Sequence, residues 1–445
     1  MQKKPLAILE KIFYYFLVLN PLLDIASGVQ LYLLNGGAGG MLSSLDLVNQ
    51  PAVSPSFGVR MVILICLALY VLLKKDWKTV ALMASIGVVF AATVGYEILR
   101  GADFSLWEDI LYIVRFCYNL LILIVYREVL IGLGLDTESL RRRLDAVVSW
   151  TLTVVFAAIV IPYLLGMGFF TYADPLGYRG CRGFFYSGND VTATLMLMLP
   201  MAFDGLLRRR ESFRTRSGFA LLIAPGFALL SMLIIGTKTA FLAAGVTVAA
   251  LLIYCLIDWK RTANKDDLRY FLIAIAAALV MFGVIIVLSG GRVIGSISDS
   301  YSATEEFMEM NGAEAILSGR TGKLVKAFGE WKALLPVSAL FGIGRGSQTW
   351  VIEMDLCEVF LYYGLLGTVL MLWLYLKHGI LFLKDFFTRF SRTALCCALS
   401  LGLCVGYLAS AGHTLFSVTS GFYFAFVLLY ARVFCAERGL DTRIL

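Results

Sequence analysis

Apolar and polar residues alternate along this chain in long blocks. About twelve apolar runs lie near 11–34, 58–73, 79–99, 106–126, 144–166, 190–207, 218–236, 239–257, 270–289, 356–376, 394–411 and 414–434. Crossing hydrocarbon takes about 20 apolar residues in helical form, because only a helix satisfies its own backbone hydrogen bonds there. The pattern therefore predicts an all-α, polytopic membrane bundle of about 12 transmembrane helices. One long polar stretch, 290–355, interrupts it between the ninth and tenth runs. The chain reads as a single membrane domain over 1–445, with 290–355 as an extracytoplasmic loop subdomain containing amphipathic helices.

Composition agrees: 60% of residues are hydrophobic and 16% charged, with a mean hydropathy of +0.82, against about 25% charged in soluble domains. Lys and Arg fall on alternate connections: Lys3/Lys4, Lys74/Lys75/Lys78, Arg141/Arg142/Arg143, Arg208/Arg209/Arg210, Lys260/Arg261, Lys384/Arg389/Arg392 and Arg432/Arg438. By the positive-inside rule these connections and both termini are expected to be cytoplasmic. The net charge of +7 is mostly this topogenic signal and implies neither a nucleic-acid partner nor an acidic substrate. The first run lacks a small-residue cleavage site and is expected to stay as a membrane helix. Nine cysteines lie mostly in predicted helices, with Cys181 on an outer connection, so no disulfide framework is expected. Two histidines, His378 and His413, with no CxxC or HExxH, give no zinc motif, and no GxGxxG or Walker sequence is present. Neither metal nor cofactor is expected, and the chain is not by itself a nucleotide-driven pump. The glycine-rich stretch 36–40 reads as a flexible outer loop. No internal repeat is visible, which weighs against a secondary transporter.

Ionisable residues in or beside membrane helices are costly and mark candidate sites. Asp24 follows Asn20-Pro21 in the first run, where Pro21 is expected to kink the helix. In the fourth run Arg115 follows Glu108-Asp109, and an ion pair among them would fix packing. The connection 178–190 holds Arg179, Arg182, three glycines and a helix start. Arginine offers a planar fork of donors to phosphate oxygens, and a helix N-terminus favours an anion. Asn189 and Asp190 are candidate helix caps. Arg179 and Arg182 run against the topological trend and are read as ligand-binding. Lys238, on the turn Gly236-Thr237-Lys238-Thr239, either snorkels to the interface or gives a point charge to a pyrophosphate.

The long loop divides. Glu305, Glu306, Glu309 and Glu314 suggest a solvated helical face. Over 320–335, Leu324, Val325, Phe328, Trp331 and Leu335 recur at helical spacing among Lys323, Lys326 and Lys332. This predicts an amphipathic helix for the membrane surface or a cavity roof, with Trp331 as an interface anchor. Arg320 at its start is placed to aim at an anion. The turn Gly342-Ile343-Gly344-Arg345-Gly346 follows, and then Glu353, Asp355 and Glu358 at the entry to the tenth helix. One of Glu353 and Asp355 is the candidate general base, with arginines neutralising a departing pyrophosphate. His413, beside Gly412, is the fallback base.

The order of these motifs resembles the O-antigen ligase and O-antigen polymerase superfamily, over about 178–367. It rests on the Arg-Gly-Phe segment ending at Asn189, Thr237-Lys238, Ser318-Gly319-Arg320, and Gly342-Ile343-Gly344 followed by a polar pair and Gly364-x-x-Gly367. Ligases of that family usually carry a His-Asn pair eleven residues before the first glycine of the closing motif. Here Glu353 stands at the His position and Met354 at the Asn position, so this chain departs toward ligase-like or polymerase-like members. The resemblance implies metal-independent, inverting glycosyl transfer in cell-surface polysaccharide assembly, on the outer face of the cytoplasmic membrane. The donor would be a polyprenyl-pyrophosphate-linked glycan, and the partners the bilayer and other polysaccharide-assembly membrane proteins. Arg179, Arg182, Lys238, Arg320 and Arg345 would hold the pyrophosphate. Glu353 or Asp355 would take the acceptor's proton, with Asn189, His413 and Arg115 as secondary candidates. A transporter or flippase of a lipid-linked or anionic solute is the competing reading, and predicts a charge-lined path through the bundle.

Overall fold

The computed structural model describes residues 3–37, 40–51, 53–174, 177–208, 215–311, 319–348 and 351–435. Ala38, Gly39, Arg209, Arg210, Glu314, Ser318 and Arg438, named above, lie outside the described residues.

Helices follow the apolar runs: α1 (Lys3–Leu34), α2 (Pro55–Lys74), α3 (Trp77–Leu99), α4 (Leu106–Gly132), α5 (Thr137–Leu165), α6 (Gly188–Arg208), α7 (Arg216–Ile235), α8 (Lys238–Thr262) and α9 (Asp266–Leu288). The polar stretch forms α10 (Arg292–Asn311), α11 (Arg320–Ala333) and α12 (Val337–Phe341), and the bundle closes with α13 (Asp355–Thr388), α14 (Arg392–Ser410) and α15 (Ser420–Phe434). Among the described residues, eleven helices are long and apolar enough to cross a membrane, and α15 is a shorter apolar helix. The protein is a multi-pass helical membrane protein. Sequence periodicity missed one element. Between α5 and α6, β1 (Phe169–Asp174) pairs antiparallel with β2 (Gly177–Gly183), Tyr172 lying opposite Arg179.

Helices α6 and α4 bury the largest share of their apolar windows. In α6 94% of the apolar window is buried, and in α4 72%, so these form the centre while α3 and α9 lie outside. Buried ion clusters tie the helix ends. At the end of the bundle opposite the hairpin, Arg208 on α6 pairs with Asp204 at 2.7 Å and with Asp145 of α5 at 3.2 Å. Arg392 of α14 reaches Asp267 of α9 at 2.7 Å. At the hairpin end, Asp24 of α1 accepts from Arg60 of α2 at 2.6 Å and from Thr419 at 3.0 Å. Each charge is buried with its partner, the arrangement under which its desolvation is tolerable.

The run 414–434 is not one helix. Residues 411–419 are irregular, and α15 starts only at Ser420. Such backbone survives between spans because protein groups satisfy it. Asp355 accepts from the amides of Thr414 and Leu415 at 2.5 and 2.6 Å, and the Asn119 amide donates to the carbonyls of Leu415 and Ser417 at 2.9 and 2.8 Å.

Helix α13 bends at Gly364, with φ 64° and ψ −167°. That region of backbone space is open essentially to glycine alone. A Cβ there would run into the backbone of Leu340 and Phe341, so the bend seats α12 on α13. Gly364→Ala is expected to cost about 2–4 kcal/mol. A melting temperature in detergent within about 1 °C of wild type would contradict this account of the bend.

Candidate active site

A cavity of about 440 Å³ opens where β1, β2, α6, α8, α10 and α11 meet. Its walls carry Arg179, Arg182, Lys238 and Arg320, with Glu353 as the carboxylate among the described lining residues. Asn189 lines it too, with Ser187, Thr171 and Tyr172.

The hairpin aims two of the cations. Arg179 stacks on Tyr172, its cross-strand partner, at 5.0 Å, and Arg182 lies 5.5 Å from the Phe169 ring. Gly183, with φ 58°, lets β2 lie on α5, where a Cβ would strike the backbone of Ala158. Burial makes the Arg182 cation costly and lowers its pKa from the ordinary value. Its buried Nε has no hydrogen-bond partner among the described residues. Guanidinium stays charged under such burial, so Arg182 is a buried cation on the cavity wall.

Three helix N-termini converge on the same space: α6 through Gly188 and Asn189, α8 through Thr237 and Lys238, and α11 through Arg320. Each contributes about half a positive charge from its backbone dipole. Ser187, not Asn189 or Asp190, caps α6, its hydroxyl accepting from the Asp190 amide at 3.3 Å. Thr237 caps α8 by accepting from the Ala240 amide at 3.2 Å. The positive charges of Arg179 and Arg320 both act on Lys238, so the open choice for this lysine falls on the cavity.

Glu353 is ion-paired: its Oε2 accepts from Nη2 and Nε of Arg320 at 2.6 and 3.1 Å, and Lys323 Nζ lies 3.7 Å from Oε1. Its backbone has φ 65° and its amide donates to Glu358 Oε1 at 2.7 Å.

Several expected site residues lie elsewhere. Asp355 is fully buried and does not line the cavity. Its oxygens are taken by two backbone amides and by His413 Nδ1 at 3.0 Å, so it clasps 411–419. Arg345 is buried below the glycine turn, where it donates to the Gln348 carbonyl at 2.7 Å and lies 3.8 Å from Glu108. Arg115 is exposed on α4 away from the cavity. Asp109 pairs instead with the turn, accepting from the amides of Arg345 and Gly346 at 2.8 and 2.9 Å. On α11, Leu324, Ala327 and Trp331 face inward while Val325 and Phe328 are exposed. Trp331 packs on Phe360 at 5.2 Å and donates to the Ser338 carbonyl at 2.9 Å, so it docks α11 on α13.

His413 sits beside the cavity between Asp355 and Glu358, at 3.0 and 3.5 Å. Tyr112 donates to Glu358 from the far side. Burial works against the imidazolium, but the charges of Glu358, Asp355 and Glu353 outweigh it and push His413 up to about 9. The two carboxylates beside it thus favour the imidazolium. Asp355, Glu358 and His413 present ligand atoms within 4.8 Å of one another, a set with the donors for a divalent ion. Within it His413 Nδ1 is hydrogen-bonded to Asp355, and Glu358 accepts from Tyr112.

Sequence reasoning missed Tyr112, Tyr172 and Ser187. Only Tyr172 left a signal, its place three residues after Phe169 on the strand that faces the two arginines.

Fold and cavity define a multi-pass membrane protein with a cation-lined cavity at one end of its bundle. The family model of O-antigen ligase like membrane proteins matches residues 7–294, well over half of the chain, and the protein belongs to that family. It is a glycan-transferring membrane enzyme of polysaccharide assembly, with a lipid-linked glycan as substrate. The matched segment includes Arg179, Arg182 and Lys238 and ends before Arg320 and Glu353. Among curated proteins none matches the chain.

Proposed function

We propose that the protein transfers a glycan from a polyprenyl-pyrophosphate donor to an acceptor sugar hydroxyl, with inversion and without a metal, on the outer face of the cytoplasmic membrane. Under this reading both termini are cytoplasmic and 290–355 is the extracytoplasmic lid of the site. The observation that carries the reading is the convergence of four cationic side chains and three helix N-termini on one cavity lined by a single carboxylate.

The chemistry follows from the charges. The acceptor oxygen attacks the anomeric carbon, the bond from that carbon to the diphosphate oxygen breaks, and the electron pair leaves with the polyprenyl diphosphate. Arg182, Arg320, Arg179 and Lys238 stabilise the charge that grows on this leaving group, which supplies what a metal would otherwise supply. The acceptor proton passes to Glu353. Fixed cations in a low-dielectric cavity need no reorganisation as the bond breaks.

The test is turnover of a polyprenyl-diphosphate oligosaccharide by purified protein in chelator. Glycan transfer that persists in chelator is expected. Donor binding without any product, together with movement of the lipid across liposomes, would replace the enzyme with a transporter.

A further inference from the structure

We propose that the Arg320–Glu353 ion pair is a latch: donor diphosphate and the Glu353 carboxylate compete for one guanidinium, so donor binding releases the base. The inference rests on the functional reading above and concerns its order of events.

One oxygen of Glu353 accepts both Nη2 and Nε of Arg320, and the other faces Lys323. An oxygen in that position has to give up a hydrogen bond before it can take a proton from a hydroxyl. The backbone of Glu353 is pegged. Its amide is held by Glu358, and its φ of 65° costs a non-glycine residue about 1 kcal/mol. The side chain keeps 31% exposure and can swing while the peg stays.

Arg320 is fixed from the other side. It is the first residue of α11, and Gly319 before it, at φ 76°, offers no side-chain cap. A planar fork that grips a carboxylate side-on presents the same geometry to a phosphate. Arg179, Arg182 and Lys238 give the diphosphate charges that Glu353 does not use, so the diphosphate outcompetes a single carboxylate. Once displaced, Glu353 lies at the edge of the filled site with free lone pairs. Activation of a hydroxyl thus follows donor binding, because Arg320 and Lys323 engage the Glu353 oxygens until the diphosphate arrives. Donor binds first and acceptor second.

The latch makes an unusual prediction: removing the catalytic carboxylate improves binding of the diphosphate. With inorganic pyrophosphate as probe and full-length protein in detergent, Glu353→Gln is expected to lower Kd roughly tenfold while abolishing transfer. A role for Glu353 that is only structural would weaken binding or leave it alone. Glu353→Ala serves as the second variant should the Gln form fail to fold, with the same expected sign. An unchanged or raised Kd in the folded variants overturns the latch. The functional reading fails separately, if pyrophosphate does not bind wild type or binds Arg182→Ala equally well.

Discussion

Arg320→Ala is expected to lower glycan transfer by about two to three orders of magnitude, the usual cost of removing one preorganised donor from a developing oxyanion. The fall should appear mainly in kcat. Arg320 sits at a helix N-terminus on the cavity wall; in the proposed reaction the charge it meets grows as the bond to the diphosphate breaks, so its interaction would be stronger in the transition state than in the bound donor. Arg320→Lys should recover little, because an ammonium has one point of charge where the guanidinium has a fork. Arg345→Ala separates this effect from a general loss of positive charge. Arg345 is buried beneath the glycine turn on the Gln348 carbonyl, so its loss should lower stability and leave pyrophosphate affinity in the remaining folded protein unchanged. Product formation by Arg320→Ala within threefold of wild type would remove Arg320 from the chemistry.

The difference between Arg320 and Arg345 shows where sequence was sufficient. Arg179, Arg182, Lys238 and Arg320 could be found because each is a positive charge where the topological pattern expects few, and all four line the cavity. Arg345 has the same signature. What separates it is α4, which brings Asp109 to the amides of the turn and Tyr112 to within 5.8 Å of the Arg345 guanidinium. Glu353 and Asp355 likewise look equivalent two residues apart. The first precedes α13 in a left-handed conformation and turns to the cavity. The second begins the helix and turns inward to residues 411–419. The bundle itself was legible because membrane helices must be long, apolar and internally bonded. The irregular 411–419 segment was not, since its backbone groups are satisfied by residues far away in sequence; the hairpin, though its pairing is local, was missed because glycines and arginines break the alternation of a strand. Residues 7–294 of the family match contain one side of the cavity. The other side, α11 with Glu353, stands on geometry.

Asp355→Ala is expected to destabilise the protein more than any loss from the cavity wall, by about 3–5 kcal/mol. The substitution leaves the Thr414 and Leu415 amides without their acceptor in a buried place, at about 1–3 kcal/mol for each unsatisfied group. It also takes away the nearest counter-charge of His413. This second part depends on pH. His413 in the folded protein titrates at about 9, above its ordinary value of about 6.5, so protonation favours the folded state. That contribution is fully present below about pH 6.5 and is lost as pH rises through about 9. Glu358, Glu353 and Tyr112 also face the site, and the two glutamates keep part of the shift in the variant. The gap in apparent melting temperature between wild type and Asp355→Ala should therefore be widest near pH 6 and narrow toward pH 9.5. It should not close, because the amides remain unsatisfied at every pH. His413→Gln is the complementary variant: it keeps the amide clasp and should flatten the pH slope at a smaller cost in stability. A gap that stays constant over this range would mean that His413 carries no charge in the folded protein. A gap that disappears at pH 9.5 would mean that Asp355 acts on the imidazolium alone, and that the irregular segment before α15 is held by something other than its carboxylate.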